Sequence, residues 1–346
     1  MTLRGISCLI AALCLAAAPF LPLANSGTAL PLTALPLPFG LVSAAAVLLL
    51  IAAWRGGSVA VAAAGIAVLL ASAGIVELLR LPQVAGTAGA GFWAIVIAAW
   101  IAASSTVAGL VAMRPRHVIA RRGLDLAVPL LFGAFLFFLW EIAVRGFGVP
   151  SVLMPAPSAI ATRFFASLPV LATDFVQTFV RGVLTGYIIG SAAGFLVAIV
   201  ADRVPFLRRG LLPLGNFVAA LPVVGIAPIM VMWFGFDWPS KAAVVVVMTF
   251  FPMLVNTVAG LSAAGKIERD LMRSYGAGYV ETLLKLRLPA AMPFIFNALK
   301  INSTLALIGG IVAEFFGTPV VGMGFRISIE VARMSLDMVW AEIALA

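Results

Sequence analysis

Ionisable side chains are scarce in this sequence. Its 346 residues hold 13 Asp and Glu, 22 Lys and Arg, and a single histidine. Charged residues make up 10% of the chain against 63% hydrophobic ones, and the mean hydropathy is +1.17. A water-soluble domain of this size could not cover that much apolar side chain, because its surface must stay largely polar. Apolar runs of ~20 residues are long enough to cross a hydrocarbon layer of ~30 Å as helices that satisfy their own backbone hydrogen bonds. The chain therefore reads as an all-α, polytopic helical membrane protein. Cysteine is nearly absent too. Cys8 and Cys14 both lie in the first apolar run, which indicates neither a disulfide framework nor a metal site. His117 sits in the basic stretch RPRHVIARR and is expected to be a solvated juxtamembrane residue, not a ligand or base. The net charge of +9 does not point to nucleic acid, because the basic residues lie between apolar runs and not on one amphipathic or aromatic-rich stretch.

The first run, Ile6 to Leu23, follows Arg4 and is either a signal peptide or a retained span; PLANSGTA is a poor cleavage site, which favours retention. Further spans are expected at about Leu35–Trp54, Ser58–Leu79, Gly91–Met113, Leu126–Val144, Val176–Ala201, Leu211–Phe234, Lys241–Leu261 and Phe294–Phe316. Between two of them, Ser158–Leu168 has the amphipathic spacing of a helix lying at the membrane surface. Arg4, Arg55, the cluster Arg114, Arg116, Arg121 and Arg122, and the group Arg203, Arg208 and Arg209 all fall on one side of an alternating topology. The positive-inside bias makes that side, with the N-terminus, cytoplasmic. Residues 1–113 form an Ala/Leu/Val-rich block of about four spans, 114–124 a basic linker, and 125–346 a more patterned piece; no internal repeat is evident.

One charged island breaks the apolar pattern on the cytoplasmic side. It reads GLSAAGKIERDLMRSYGAGYVETLLKLRLP over residues 260–289. Gly260-x4-Gly265-Lys266 resembles a phosphate-binding loop, but Ile267 stands where a magnesium-binding hydroxyl is needed, and a membrane run precedes it instead of a buried soluble strand. The spacing instead predicts a short surface helix over Ile267–Tyr275, a turn at Gly276, and a second helix over Tyr279–Leu286 stopped by Leu288-Pro289. Such an elbow is shaped to dock into a groove on a soluble partner.

At these residues the chain resembles a known family. The segment 263–290 is similar to the EAA loop of binding-protein-dependent ABC importer permeases, with the pattern E-A-A-x3-G-x9-I-x-L-P. Asp270 stands at the acid, Gly276 at the glycine, Leu286 at the isoleucine and Leu288-Pro289 at the final pair; Leu271 and Met272 replace the two alanines. LMPAPSAI, TFVRGVLTGYIIGSAAG, LPVVGIAPIMVMWFG, FFPMLVNTVAGL and IVAEFFG extend the likeness, from about Leu126 to the C-terminus, to permeases of the nitrate, sulfonate and taurine type. The wording DLMRSYGAGYVETLLKLRLP is nearer to permeases for thiamine-pyrimidine precursors and riboflavin. The resemblance implies a type I importer transmembrane domain with extra N-terminal spans, in the bacterial plasma (inner) membrane. It implies a non-enzymatic subunit that pairs with a second copy, with cytoplasmic ATPases carrying ATP and Mg, and with a periplasmic or lipid-anchored solute-binding protein. No cofactor or metal is expected on this chain. In the loop, Asp270, Arg273, Ser274, Tyr275, Gly276, Leu286, Leu288 and Pro289 are then the residues expected to meet the ATPase. No acid lies near the middle of a predicted span, as a proton- or sodium-driven carrier would need, and Glu77, Glu141 and Glu314 stand toward outer ends.

Other polar and small residues carry two readings each. Gly182, Gly186, Gly190 and Gly194 make a four-residue ladder that favours helix packing over substrate contact. Arg181 beside it either snorkels or serves the pathway. Asn256 and Asn302 are candidates for the substrate pathway, with interhelical hydrogen bonding as the default, and Lys300 lies near enough to the cytoplasmic end to snorkel. Glu314 is expected at the interface or at the outer mouth, and Glu141 and Arg145 should pair at i,i+4. A structural or assembly membrane protein without transport activity is the alternative; a channel lacks a filter-like loop. The family's last span should follow Phe316, yet MVWAEIALA ends where that span would begin.

Overall fold

A computed structural model of the chain describes residues 3–25, 30–113, 118–219, 222–317 and 320–346; Arg114, Arg116 and His117 lie outside them. Among the described residues regular structure is helical, and extended pairing is limited to one bridge between Ala24 and Ala88. Eight helices are long and apolar enough to cross a membrane. The protein is therefore a helical, multi-pass membrane protein.

The chain divides into two compact units, Met1–Ile160 and Ala161–Ala346. The first holds α1 (Leu3–Ala17), α2 (Pro36–Trp54), α3 (Gly57–Leu79), α4 (Ala90–Ala112) and α5 (Val118–Phe147). Small residues let these helices approach closely: Ala11, Ala45, Ala67 and Ala98 are all fully buried, with Leu15, Leu49, Ile75 and Phe92 filling the space between. Trp100 of α4 stacks on Phe135 of α5 at 5.6 Å. Glu141 and Arg145 pair within α5, and both bond Ser158 of α6 (Pro157–Ala166), where the spacing predicts a helix over Ser158–Leu168.

The second unit is built on two 36-residue helices, α7 (Leu168–Arg203) and α12 (Tyr279–Glu314), packed on α10 (Trp238–Ser262). Between α7 and α10 the expected single span 211–234 is instead two helices, α8 (Pro205–Ala219) and α9 (Val223–Phe234). Pro222 marks the break, extended at the start of α9 and disfavouring helical backbone before it, whereas α8 runs through Pro213. The pair still carries the chain from one end of the unit to the other. Asp202, in the last turn of α7, bonds Arg287, whereas Asp237, before α10, accepts a hydrogen bond from Gln177 in the first third of α7.

A second correction concerns the elbow. Leu288-Pro289 does not stop a helix; α12 runs through it from Tyr279 to Glu314. A wider π turn at Leu283–Arg287 precedes the proline and moves aside the Lys285 carbonyl with which the ring would otherwise clash. Beyond Phe316 the chain forms two ten-residue helices, α13 (Met323–Ala332) and α14 (Leu336–Leu345).

Candidate functional site

The island forms α11 (Lys266–Ser274), with Glu268 in its first turn and Arg273 in its last, each suited to the helix dipole. It buries no residue. Ile267, Leu271 and Tyr275 are spaced i, i+4, i+8, so they share one face, and they stand 82, 55 and 82% exposed. The helix ends in a Schellman motif. Gly276 has φ of 75°, its N–H donates to the Arg273 carbonyl at 3.0 Å, and the Ala277 N–H reaches the Met272 carbonyl at 3.0 Å. Asp270 and Arg273 project into solvent, and the Ser274 hydroxyl donates to the Asp270 carbonyl at 2.9 Å.

The other arm of the elbow is fastened. Arg287 forms two parallel hydrogen bonds of 2.7 Å to the Asp202 carboxylate, and its Nε donates to the Leu261 carbonyl at 2.9 Å. Tyr279 donates its hydroxyl to the same carboxylate at 3.2 Å, and the Arg203 guanidinium lies 5.1 Å from the Tyr279 ring centre. Leu283 is buried with Met253, Leu261, Ala291 and Ile295, Leu288 packs against this group, Leu286 is half-buried and Pro289 is exposed. Asp202, Tyr279 and Arg287 escaped the sequence reading. Their only signal was opposite charge at one predicted membrane edge, and partner choice there requires the fold.

Along the helix contact, the glycine ladder of α7 faces α10. A Cβ on Gly186 would stand 2.6 Å from the Ala242 carbonyl and from the Val245 Cβ, and one on Gly194 3.0 Å from the Met253 Cβ. Asn302 is fully buried; its Nδ2 donates to Ser191 Oγ at 3.0 Å and to the Thr249 carbonyl at 2.8 Å, so one amide ties α7, α10 and α12. Asn256 is half-buried and donates to the Pro252 carbonyl of its own helix at 2.8 Å.

At the end of the unit remote from the elbow, buried polar groups clamp the start of α13. The backbone N–H groups of Gly322, Met323 and Gly324 donate respectively to Asp174, to Thr178 Oγ1 and to Glu314, at 2.7, 2.8 and 2.7 Å. Thr178 donates to both Glu314 oxygens, and Arg326 Nε to Asp174 at 2.8 Å. Glu314 is 2% exposed and is an interior cap. Lys241 is 3% exposed and gives its ammonium protons to the Phe236 and Gly317 carbonyls and to Ser240 Oγ. Asp237 caps α10 by accepting from the Trp238 N–H; that bond and the one from Gln177 hold its carboxyl below the usual carboxylate range. Arg181 is exposed, reaches Gln177 Oε1 at 3.3 Å, and lines an open cavity of about 610 Å³ with Asp237 and Val321. Asn256, Asn302, Glu314 and Arg181 are thus not gathered in one site. Asn302 lies in the helix core, Glu314 in the remote clamp, and Arg181 at the rim.

A polytopic helical unit with an exposed elbow at one end is the architecture of an importer's transmembrane subunit. The chain belongs to the binding-protein-dependent transport system inner membrane component family, whose model matches residues 186–346, and is an ABC importer permease of the nitrate/sulfonate type. It is 32% identical over 201 residues to the formylaminopyrimidine transport permease protein ThiX of Halalkalibacterium halodurans, covering 57% of this chain and 78% of that one. It is 28% identical over 220 residues to the riboflavin transport system permease protein RibX of Chloroflexus aurantiacus (63% and 81%). Over 201 residues it is 27% identical to the putative aliphatic sulfonates transport permease protein SsuC of Bacillus subtilis (57% and 72%).

Proposed function

We propose that this permease couples import of a small polar solute to ATP hydrolysis by a separate cytoplasmic ATPase, and that residues 263–290 are the coupling loop. The observation that carries the reading is the bare apolar stripe Ile267–Leu271–Tyr275 on a helix that buries nothing, held at a fixed angle by Gly276 and by the Arg287–Asp202 pair. A single exposed leucine needs no explanation, but an apolar stripe on a short helix, set in a charged loop outside the bilayer, suits a partner's groove. The elbow faces the cytoplasm together with the N-terminus, because Arg203, Arg208, Arg209 and Arg287 crowd the same edge. Two copies of the chain enclose the pathway in the plasma (inner) membrane, and a periplasmic or lipid-anchored binding protein delivers solute to the edge bearing Arg181 and Asp237. Asn256 is the amide better placed to meet the solute, since it is half-buried whereas Asn302 is fully buried in the helix core. The relatives' names favour a nitrogen-rich heterocycle of the formylaminopyrimidine or riboflavin kind over an aliphatic sulfonate, in line with the wording of the loop. ATP and Mg reside on the ATPase, not on this chain.

The test is co-purification with an ABC ATPase of the same cell, in nanodiscs, with solute-stimulated hydrolysis as the second readout. Leu271→Asp should release the ATPase while leaving membrane insertion unchanged. Retention of the ATPase and of stimulated hydrolysis by that variant would show that the stripe is not the docking face.

A further inference from the structure

The N-terminal unit contains a cavity of about 1190 Å³ that the importer reading leaves without a role. It opens where α1 begins, α2 ends, α3 begins and α4 ends, so its mouth lies at one membrane edge. Arg4 and Arg55 stand at that mouth, beside Trp54, and the exposed Ser104 hydroxyl lies deeper on α4. From Ala112 to Trp100 the lining follows α4 for twelve residues, or ~18 Å at the helical rise. The cavity therefore reaches from headgroup depth well into the acyl-chain region.

Its charge is one-sided. The unit's acids are Glu77, Asp125 and Glu141; none lines the cavity, and Glu77 and Glu141 are engaged by Arg80 and Arg145. Among the described residues neither Arg4 nor Arg55 has a carboxylate partner. A guanidinium at headgroup depth matches a phosphate by its planar fork of donors. Simple snorkelling would explain one such arginine at a helix end. It does not explain two that line the mouth of one largely apolar-walled cavity.

We propose that this cavity binds an acidic phospholipid, with Arg4 and Arg55 holding the phosphate and the space along α4 taking the upper part of an acyl chain. The depth favours a lipid over a free phosphate ion, which would occupy only the mouth.

Native mass spectrometry of the full-length protein in detergent tests this, titrating dioleoylphosphatidylglycerol against dioleoylphosphatidylcholine. The protein should retain the anionic lipid preferentially, and Arg4→Gln/Arg55→Gln should weaken that retention by roughly tenfold or more. Arg80→Gln, at the opposite edge, should change nothing. Ala108→Trp, which fills the cavity and leaves both arginines in place, should also lower retention, so the result does not depend on the double variant inserting correctly. Equal retention of the two lipids, or undiminished retention by Ala108→Trp, would overturn the proposal. Displacement of the lipid by inorganic phosphate at matched concentration would assign the mouth to a free anion instead.

Discussion

Gly276 sets the shape of the elbow more than any charged residue around it. Its φ of 75° is a backbone state that costs a β-branched side chain ~1–2 kcal/mol, while nothing lies within 4 Å of where its Cβ would stand. Gly276→Val should therefore act through strain alone and abolish ATPase stimulation, whereas Gly276→Asn, which tolerates this conformation, should keep most of it. Lys266→Ala should leave hydrolysis unchanged, because no phosphate chemistry rests on that lysine. If Lys266→Ala removed nucleotide binding and Gly276→Val left stimulation intact, the elbow would be a nucleotide site after all. Arg287 is the more severe target. The Asp202 side chain is 2% exposed, and removing its partner strands a buried charge, at a cost of ~3–5 kcal/mol. Arg287→Ala should lower the thermal midpoint sharply, and Arg287→Met combined with Asp202→Leu should recover part of the loss. A double variant as damaged as the single one would mean that the pair does not behave as a unit.

Between elements, the contact of α7 with α10 depends on missing side chains, and the tie through Asn302 depends on one amide. Gly186→Leu should force the helices apart, costing ~1–3 kcal/mol, and should be read as loss of folded protein on size exclusion in detergent. Asn302→Leu should cost less, about 0.6 and at most ~1.7 kcal/mol, because interhelical hydrogen bonds in membranes are individually weak. Asn256→Leu should lower uptake and leave that stability unchanged; a stability loss larger than that of Asn302→Leu would move Asn256 from the pathway into the scaffold. Much at this scale was legible from the chain alone. Hydropathy and length placed α2, α3 and α4 within a few residues of their observed bounds, and the turn at Gly276 followed from its distance to Asp270 and Pro289. The break at Pro222 and the passage of α12 through Pro289 were not legible, since a proline ends, kinks or rides through a helix according to what its neighbours satisfy. The clamp was hidden for another reason. Asp174, Thr178 and Glu314 lie far apart in sequence from the three N–H groups they cap, and nothing in a local window joins them.

For the whole molecule, the elbow, its Arg287–Asp202 anchor and the remote clamp all lie between residues 161 and 346, and each is complete without any residue of the first unit. The N-terminal spans thus contribute no group to the machinery proposed for coupling. They are not inert, because α5 leans on them: Ile142 is buried in their core, and Phe135 stacks on Trp100. Deleting residues 1–113 removes four spans, an even number, so the positive-inside bias leaves the orientation of the remainder unchanged. It also strips α5 of its partner and of the lipid cavity. The truncated protein should co-purify with its ATPase to the same stoichiometry as the full chain, with a lower thermal midpoint. Its stability should no longer respond to added phosphatidylglycerol, while the full-length protein still does. Loss of the ATPase from truncated protein that inserts normally would place part of the docking surface, or its support, in the first unit and end the division of labour argued for the two halves.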